Sequence, residues 1–171
     1  MNLATRDRRE IINSDVATTP VTQVPAPISE VSLTFKTGDA PYAYIFGNAK
    51  YDSLHNKTAK IKNLSGTDVI VCLFSKKEFV RCVFVKENDS FEITHLPLNS
   101  TGIGYVSGLC FDSSLRPDNT DIRGVFSENQ EFYKSTKANL LNSFNELTLL
   151  PGLNKGFKKV DEKDFFYLTK K

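Results

Sequence analysis

Tryptophan is absent from this sequence, methionine occurs once, and no apolar run is long enough to cross a membrane. The longest apolar run, residues 69–74, is far shorter than the ~20 residues that a membrane-spanning helix needs. Charge of one sign is also lacking, since 22 Lys and Arg stand against 20 Asp and Glu and the two signs are interspersed. These absences predict no membrane insertion and no nucleic-acid partner.

Cysteine is scarce as well. The three cysteines, Cys72, Cys82 and Cys110, cannot all pair within one chain, and none has the Cys-x-x-Cys spacing of zinc or redox sites. Buried reduced thiols are therefore expected. The alternative is a disulfide between Cys72 and Cys82, which lie on neighbouring strands of a predicted hairpin and need a three-residue loop to face each other.

The N-terminal arm, residues 1–30, differs from the rest of the chain. It contains three prolines in eight residues and no sustained apolar period. Proline fixes φ and removes a backbone donor, so this composition predicts an extended or disordered arm outside the core. The residues of the arm that we expect to bind a partner are Pro20, Val21, Val24, Pro25 and Pro27. The first ten residues lack the apolar stretch of a signal peptide, so no intact leader is predicted.

Short apolar runs separated by turn residues occupy most of the chain after residue 30. The strand candidates are residues 31–35, 58–63, 69–74, 79–85, 90–94, 102–106, 131–134, 146–150 and 156–160. Residues 69–74 are apolar throughout, which predicts a strand buried on both faces. Turn signals about every ten residues between short strands are typical of an antiparallel sandwich or barrel.

The predicted fold is all-β: one antiparallel β-sandwich domain of seven to nine strands over residues 31–171. A short helical turn is expected near the C-terminal end, because Asp161 can act as its N-cap with Asp164 at position N3. Phe165 and Phe166 then fold back on the core. Since the chain has 13 Phe and no Trp, phenylalanine is expected to supply much of the bulk of the core.

No arrangement of reactive side chains indicates catalysis. His55 and His95 lie in different turns without a second metal-ligand type at a suitable spacing. Asp112, Asp118 and Asp121 share one loop, but their spacing does not match a calcium loop, which favours solvated acids. The sequence therefore assigns no catalytic residue, no cofactor-binding residue, no metal ligand and no cofactor, and the chain is not predicted to be an enzyme.

An aromatic stretch follows Pro41 and is the most suggestive surface feature. Its members are Tyr42, Tyr44, Phe46 and Tyr51. Rings in such loops anchor protein partners or stack on sugars, so Tyr42, Tyr44 and Phe46 are candidate partner-binding residues. The same rings can instead close the open end of the sandwich, since aromatic residues usually complete a core.

A series of short motifs follows in a familiar order between residues 58 and 112. They are Lys60-Ile61-Lys62-Asn63, Gly66-Thr67-Asp68-Val69-Ile70-Val71, Val80-Arg81-x-x-Phe84-Val85, Leu96-Pro97, Tyr105 and Ser107-Gly108-x-x-Phe111-Asp112. They resemble an uncharacterised bacterial β-sandwich module that is similar to transthyretin-like and carboxypeptidase-regulatory-like domains. The resemblance implies a non-catalytic accessory or structural fold, although Phe111 stands where the pattern usually has Trp.

These features together favour a structural role. We expect a subunit of a larger assembly, bound to other protein subunits or to copies of itself and anchored by its N-terminal arm. A phage particle is the favoured assembly, with the subunit associated with the capsid or the tail, and the chain is then expected in the virion or the cytoplasm. The alternative is a carbohydrate- or peptide-binding accessory module at a bacterial cell surface.

Overall fold

The described part of the chain forms two β-sheets and two short helices. A computed structural model describes residues 34–75, 78–97, 102–116, 122–137, 145–152 and 154–167. The arm of residues 1–30 lies outside the described residues, and so do its candidate positions Pro20, Val21, Val24, Pro25 and Pro27. Within the described ranges, no helix is both long enough and apolar enough to span a membrane.

Eight strands are found in these residues, and they confirm the all-β prediction. The elements follow in the order α1 (Ala43–Phe46), β1 (Ala59–Asn63), β2 (Asp68–Ser75), β3 (Glu78–Val85), β4 (Ser90–Ile93), β5 (Gly102–Asp112), β6 (Val125–Ser135), β7 (Glu146–Leu149), β8 (Phe157–Val160) and α2 (Glu162–Tyr167). The two longest strands, β5 and β6, have 11 residues each. Both strands are longer than the predicted strands at residues 102–106 and 131–134. Pairing with a neighbouring strand therefore continues beyond the apolar residues from which a strand is predicted.

The strands form a sandwich of two unequal sheets. One sheet has the order β4-β1-β7, and the other has the order β3-β2-β5-β6-β8. Neighbouring strands are antiparallel except for β1 and β7, which run parallel with Ile61 opposite Leu147. Four strands of the larger sheet and β4 of the smaller one separate β7 from β1 along the chain, and such a long connection permits a parallel pair. The sequence did not indicate this parallel pair.

An apolar core fills the space between the two sheets. In β1, Ala59 and Ile61 face this core while Lys60 and Lys62 face outward, as the two-residue period of a half-buried strand requires. The larger sheet supplies alternate residues from its inner face. The buried members of the core are Ala59, Ile61, Val69, Val71, Leu73, Val80, Val83, Val85, Ile93, Leu96, Ile103, Tyr105, Tyr133, Leu149 and Phe157.

A second core lies on the opposite face of the larger sheet and is mainly aromatic. Residues 69–74 of β2 are buried at every position, and the even-numbered ones face this second core. The segment of residues 35–46 and α2 cover it. Its rings, which we call the aromatic layer, are Phe35, Tyr42, Phe46, Phe74, Phe79, Phe84, Phe111, Phe126, Phe132, Phe165 and Phe166. The prediction that β2 is buried on both faces is thus confirmed.

The helix α2 is held on the sheet by its cap and by two phenylalanines. Asp161 Oδ1 accepts a hydrogen bond of 2.7 Å from Asp164 N, which is the N-cap geometry that the sequence predicts. The ring centroid of Phe132 lies 5.3 Å from that of Phe165 and 5.8 Å from that of Phe166. The helical turn and the return of both rings to the core are confirmed.

The segment before β1 departs from the prediction. Residues 34–36 are not in a strand, and the rest of the strand predicted over residues 31–35 lies outside the described residues. The predicted aromatic loop contains a single helical turn, Ala43–Phe46, that ends at Gly47 with φ of 88°. The apolar alternation that suggested a strand places Phe35 in the aromatic layer instead.

Backbone groups of this segment cover the outer edge of β3. Gly38 N donates to Phe84 O at 2.9 Å, and Phe84 N donates to Asp39 O at 2.7 Å. Farther along the same edge, Lys50 N donates to Val80 O at 2.7 Å. An edge strand with free N–H and C=O groups is a template for unwanted pairing, and the chain covers this one itself.

Asn63 is a fully buried polar residue at the end of β1 that ties two turns together. Its Nδ2 donates to the carbonyl oxygens of Thr67, Val85 and Lys86 at 2.8, 3.0 and 3.1 Å. Its Oδ1 accepts from the backbone N of Ser65 at 3.1 Å and from the hydroxyl of Ser65 at 2.7 Å. Because β1 belongs to the smaller sheet and Val85 to the larger, this amide joins the two sheets.

Replacing Asn63 by alanine is expected to lower the free energy of unfolding by about 2–4 kcal/mol, because buried carbonyl groups lose their donor. Denaturant unfolding followed by circular dichroism measures the change. The exposed residue Asn56 provides the matched control, since Asn56→Ala is expected to stay within about 0.5 kcal/mol of the unmodified chain. Equal effects of the two substitutions contradict the role given to Asn63.

Substitution of two glycines in β5 tests the contact between the aromatic layer and the sheet. A Cβ on Gly104 meets Phe165 Cε2 at 2.7 Å and Tyr133 O at 3.2 Å, whereas a Cβ on Gly102 meets only Phe74, at 3.6 Å. Gly104→Ala is therefore expected to destabilise the protein by about 1–3 kcal/mol, and Gly102→Ala by less than about 1 kcal/mol. Unfolding free energies that rank the two variants in the reverse order are incompatible with this packing.

Candidate functional site

The three candidate aromatic residues of the described chain occupy different environments. Tyr42 is only 1% exposed and belongs to the aromatic layer, and burial raises the pKa of its hydroxyl well above the usual value. Phe46 stacks on Phe79 with ring centroids 4.6 Å apart. Tyr44 is 54% exposed. Tyr42 and Phe46 thus complete the second core on the outer face of the larger sheet, and not the open end of the sandwich, whereas the ring of Tyr44 is exposed to solvent.

A cleft of about 480 Å³ opens beside Tyr44, where the chain enters the domain and where β5 connects to β6. We call it the Tyr44 cleft, and it is lined by Phe35, Pro41, Tyr44, Phe111, Ser113, Arg123 and Gly124. Sequence analysis singled out only Tyr44 as a binding residue among these. Arg123, which bonds to Tyr44, is 79 positions away along the chain, so no local pattern brings the lining residues together.

The hydroxyl of Tyr44 fixes one wall of the cleft. It donates to the carbonyl oxygen of Arg123 and accepts a hydrogen bond from the backbone N–H of the same residue. Gly124 has φ of 87°, and a Cβ at this position would meet Phe111 Cζ at 2.7 Å. The backbone of residues 123–124 is therefore held between the Tyr44 hydroxyl and the Phe111 ring, and the cleft is preformed.

The Tyr44 cleft offers aromatic surface and positive charge. The rings of Phe35 and Phe111 meet edge to face with centroids 5.0 Å apart. Burial raises the pKa of Tyr44, and the hydrogen bond with the Arg123 backbone opposes that shift, together with the positive charges of Arg123 and Arg116. Among the described residues that line the cleft, none carries a carboxylate, an imidazole or a thiol. This arrangement suits an apolar ligand that carries negative charge.

A second exposed surface is formed by Tyr51 and Leu54, which are 66% and 88% exposed. We call this pair, with Arg81 beneath it, the Tyr51 patch. The guanidinium carbon of Arg81 lies 4.0 Å from the centroid of the Tyr51 ring. Arg81 itself is only 8% exposed, and its Nε has no hydrogen-bond partner among the described residues. The cation therefore supports the aromatic ring from below.

An ion pair and a histidine–carboxylate hydrogen bond lie beside the Tyr51 patch. Lys50 Nζ lies 2.9 Å from Glu78 Oε2, and His55 Nδ1 lies 2.9 Å from Asp52 Oδ2. The hydrogen bond with His55 lowers the pKa of Asp52. Asp52 N also donates to the carbonyl oxygen of His95 at 2.8 Å, which anchors the segment to the domain. An apolar centre with a charged rim is the arrangement found in protein interfaces.

The loop acids and histidines do not converge in the described part of the chain. Asp112 accepts hydrogen bonds from Ser114 N at 2.8 Å and from Ser114 Oγ at 2.6 Å, and these bonds lower the pKa of Asp112. Asp118 and Asp121 lie outside the described residues. Among the described residues, no three His, Cys, Asp or Glu side chains group as metal ligands.

The cysteines occupy three different settings. Cys72 and Cys82 are direct register partners on β2 and β3, yet both are free thiols. A bulge in this pairing, between Leu73 and Phe74, brings them opposite each other. Cys72 and Cys82 are buried as predicted, whereas Cys110 is exposed and corrects the prediction for that residue. It has φ of 54°, next to the irregular β5–β6 pairing at residues 107–109, where its side chain leaves the core.

One of the three thiols is expected to react with Ellman's reagent in the native protein, and all three after denaturation. Burial raises the pKa of Cys82 to about 11 and that of Cys72 still more clearly, so near neutral pH neither presents a reactive thiolate. A Cys110→Ser variant with no reactive native thiol identifies the residue. Only one reactive thiol after denaturation would reveal a Cys72–Cys82 disulfide and contradict the structure.

Comparison with known proteins adds no assignment. No protein-family model, curated protein or solved structure matches this chain. The likeness of residues 58–112 to transthyretin-like and carboxypeptidase-regulatory-like domains therefore stays a prediction from the motifs. The Tyr44 cleft and the Tyr51 patch are the features of the molecule from which a function is inferred.

Proposed function

We propose that this chain is a non-enzymatic structural subunit that binds other protein subunits, copies of itself among them, and is anchored by its N-terminal arm. The observation that carries the proposal is the Tyr51 patch. Tyr51 and Leu54 expose apolar surface, Arg81 stacks beneath the ring, and the Lys50–Glu78 ion pair and the Asp52–His55 hydrogen bond lie at the rim. Tyr and Arg are the residue types enriched where interfaces concentrate their binding energy.

The backbone on either side of Tyr51 is held in place, which favours a protein interface and not a side chain that is exposed by chance. Single exposed apolar residues are common on protein surfaces and need no explanation. Here, however, Lys50 N and Asp52 N both donate to backbone carbonyls of the domain, at 2.7 and 2.8 Å, on either side of Tyr51. A partner that covers Tyr51 has little conformational entropy of this segment to remove.

A phage particle is the assembly that we favour, with the subunit associated with the capsid or the tail. Shells and tails contain many copies of a subunit in repeated contacts, and an arm joined to a rigid sandwich suits such contacts. In such an assembly the arm joins neighbouring subunits, and the sandwich packs against them.

A second candidate function is favoured by Tyr44. Its half-exposed ring beside Ser113 and Arg123 offers a stacking face with polar groups next to it, as sites for sugars or peptides do. In this case the chain is a binding module at a bacterial cell surface. Measurable glycan binding that is lost in Tyr44→Ala favours this second function.

Hydrogen exchange tests the structural role. Residues 1–30 and 50–57 are to be compared in the purified chain and in the assembly recovered from its native source. Stronger protection of both segments in the assembly than in the purified chain supports the proposal. Equal exchange of both segments in the two samples, or a chain that sediments as a free monomer in extracts of its source, overturns it.

Substitutions in the patch give a second measure. Leu54→Ser is expected to weaken association by about tenfold or more, because it removes exposed apolar surface at the centre of the interface. Leu150→Ser is the matched control, since Leu150 is 52% exposed and lies outside the patch. Analytical ultracentrifugation of the chain, alone or with the subunit that it contacts in the assembly, measures both. Equal weakening by the two variants argues against an interface at Tyr51.

A further inference from the structure

We propose that the Tyr44 cleft binds residues 20–27 of the N-terminal arm of a second copy of this chain, so that two copies exchange arms. This inference rests on the proposed function, because it identifies the surface to which the arm is anchored. It assigns a partner and a binding mode to a cleft that the sandwich itself does not need.

The walls of the cleft match a proline-containing segment. Grooves that bind extended proline-rich peptides are lined by aromatic rings, onto which the apolar pyrrolidine rings pack. Phe35, Tyr44 and Phe111 supply such rings, and Pro41 completes the apolar lining. The arm carries Pro20, Pro25 and Pro27 within a segment that has no charged residue from position 16 to position 29. Its polyproline-like preference lowers the entropy that is lost on binding.

The charges of the cleft and of the arm are complementary. Arg123 lines the cleft, and Arg116 lies within electrostatic reach of Tyr44. Residues 10–33 contain Glu10, Asp15 and Glu30 but no Lys or Arg. The nearest charges on either side of the proline segment, Asp15 and Glu30, are therefore negative, and Arg123 in the cleft attracts them, whereas Arg6, Arg8 and Arg9 lie farther along the arm.

The position of Phe35 explains why the second copy is the favoured donor. Phe35 forms a wall of the cleft, so the arm is joined to a chain that reaches the cleft at Phe35. Residue 27 precedes Phe35 by eight positions, which span at most about 26–29 Å when extended. To enter its own cleft the arm must reverse direction within that length. In a two-fold dimer with the clefts facing each other, each arm crosses to the other copy without reversing.

The cleft is also preformed, so its walls need not rearrange when the arm binds. The Tyr44 hydroxyl holds the backbone of Arg123 through two hydrogen bonds, and Gly124 allows Phe111 to pack against that backbone. The affinity of an arm exchange then depends mainly on ordering the arm.

Crosslinking of mixed copies tests the proposal in the full chain, with Cys110→Ser removing the exposed native thiol. One copy carries Val24→Cys and the other carries Ser113→Cys, and a short thiol-reactive bismaleimide is added to the mixture. We expect a crosslinked heterodimer that disappears when a synthetic peptide of residues 16–30 is added in excess. Absence of the heterodimer overturns the proposal, as does a monomeric crosslink in a chain that carries both cysteines.

Two further variants separate the arm from the cleft. Replacing Pro20, Pro25 and Pro27 by alanine leaves the sandwich unaltered and is expected to weaken the exchange, measured by ultracentrifugation, by about tenfold or more. Arg123→Glu is expected to weaken it similarly, whereas Lys62→Glu, the same charge change on the exposed face of β1, is expected to have little effect. Equal effects of Arg123→Glu and Lys62→Glu contradict docking in the cleft.

Failure of this inference and failure of the proposed function give different results. An arm that is protected in the native assembly, with no crosslink to Ser113→Cys, overturns the cleft as its site and leaves the structural role intact. An arm that is unprotected in the assembly overturns both. Binding of a glycan in the cleft that displaces no arm assigns the cleft to the second candidate function.

Discussion

Both faces of the larger sheet are apolar, and the rest of the architecture follows from the need to cover each of them. The smaller sheet buries one face. The other face is buried by the segment of residues 35–46 and by α2, whose rings form the aromatic layer. Burial of a phenylalanine side chain contributes about 1.5–3 kcal/mol, so this layer supplies a large share of the stability. Covering the sheet also places Tyr44 and Phe35 at its end, and so creates the cleft.

The sequence predicts the parts of the fold that are encoded locally. The continuous apolar run of β2 predicts double burial, and Asp161 with Asp164 predicts the cap of α2; both are confirmed. The parallel pairing of β1 with β7 follows from contacts between distant segments, which no local pattern specifies. The strand predicted at residues 31–35 is wrong for residues 34 and 35, because an alternating apolar pattern also occurs in a segment that lies across a sheet edge.

The candidate site is less accessible to sequence reasoning than the fold. Tyr44 is identified from the sequence, but Tyr42 and Phe46 are also aromatic and lie only two residues away from it, and these two rings belong to the aromatic layer. Burial alone distinguishes them, and burial depends on Phe79 and Phe166 elsewhere in the chain. Arg123 and Phe111 enter the cleft through the β5–β6 connection, so their role is visible only after folding. Leu54 carries no motif and is recognised only by its exposure.

The order of the elements has a consequence for how the protein is made. Synthesis proceeds from the N-terminus, so the residues of β2, β5 and β6 leave the ribosome before Phe165 and Phe166, which follow the end of β6 by about thirty residues. At about 5–20 residues per second the nascent sheet exposes part of an apolar face for roughly 2–6 s. That interval defines a window in which a chaperone, or a neighbouring nascent chain, meets the surface that α2 later covers.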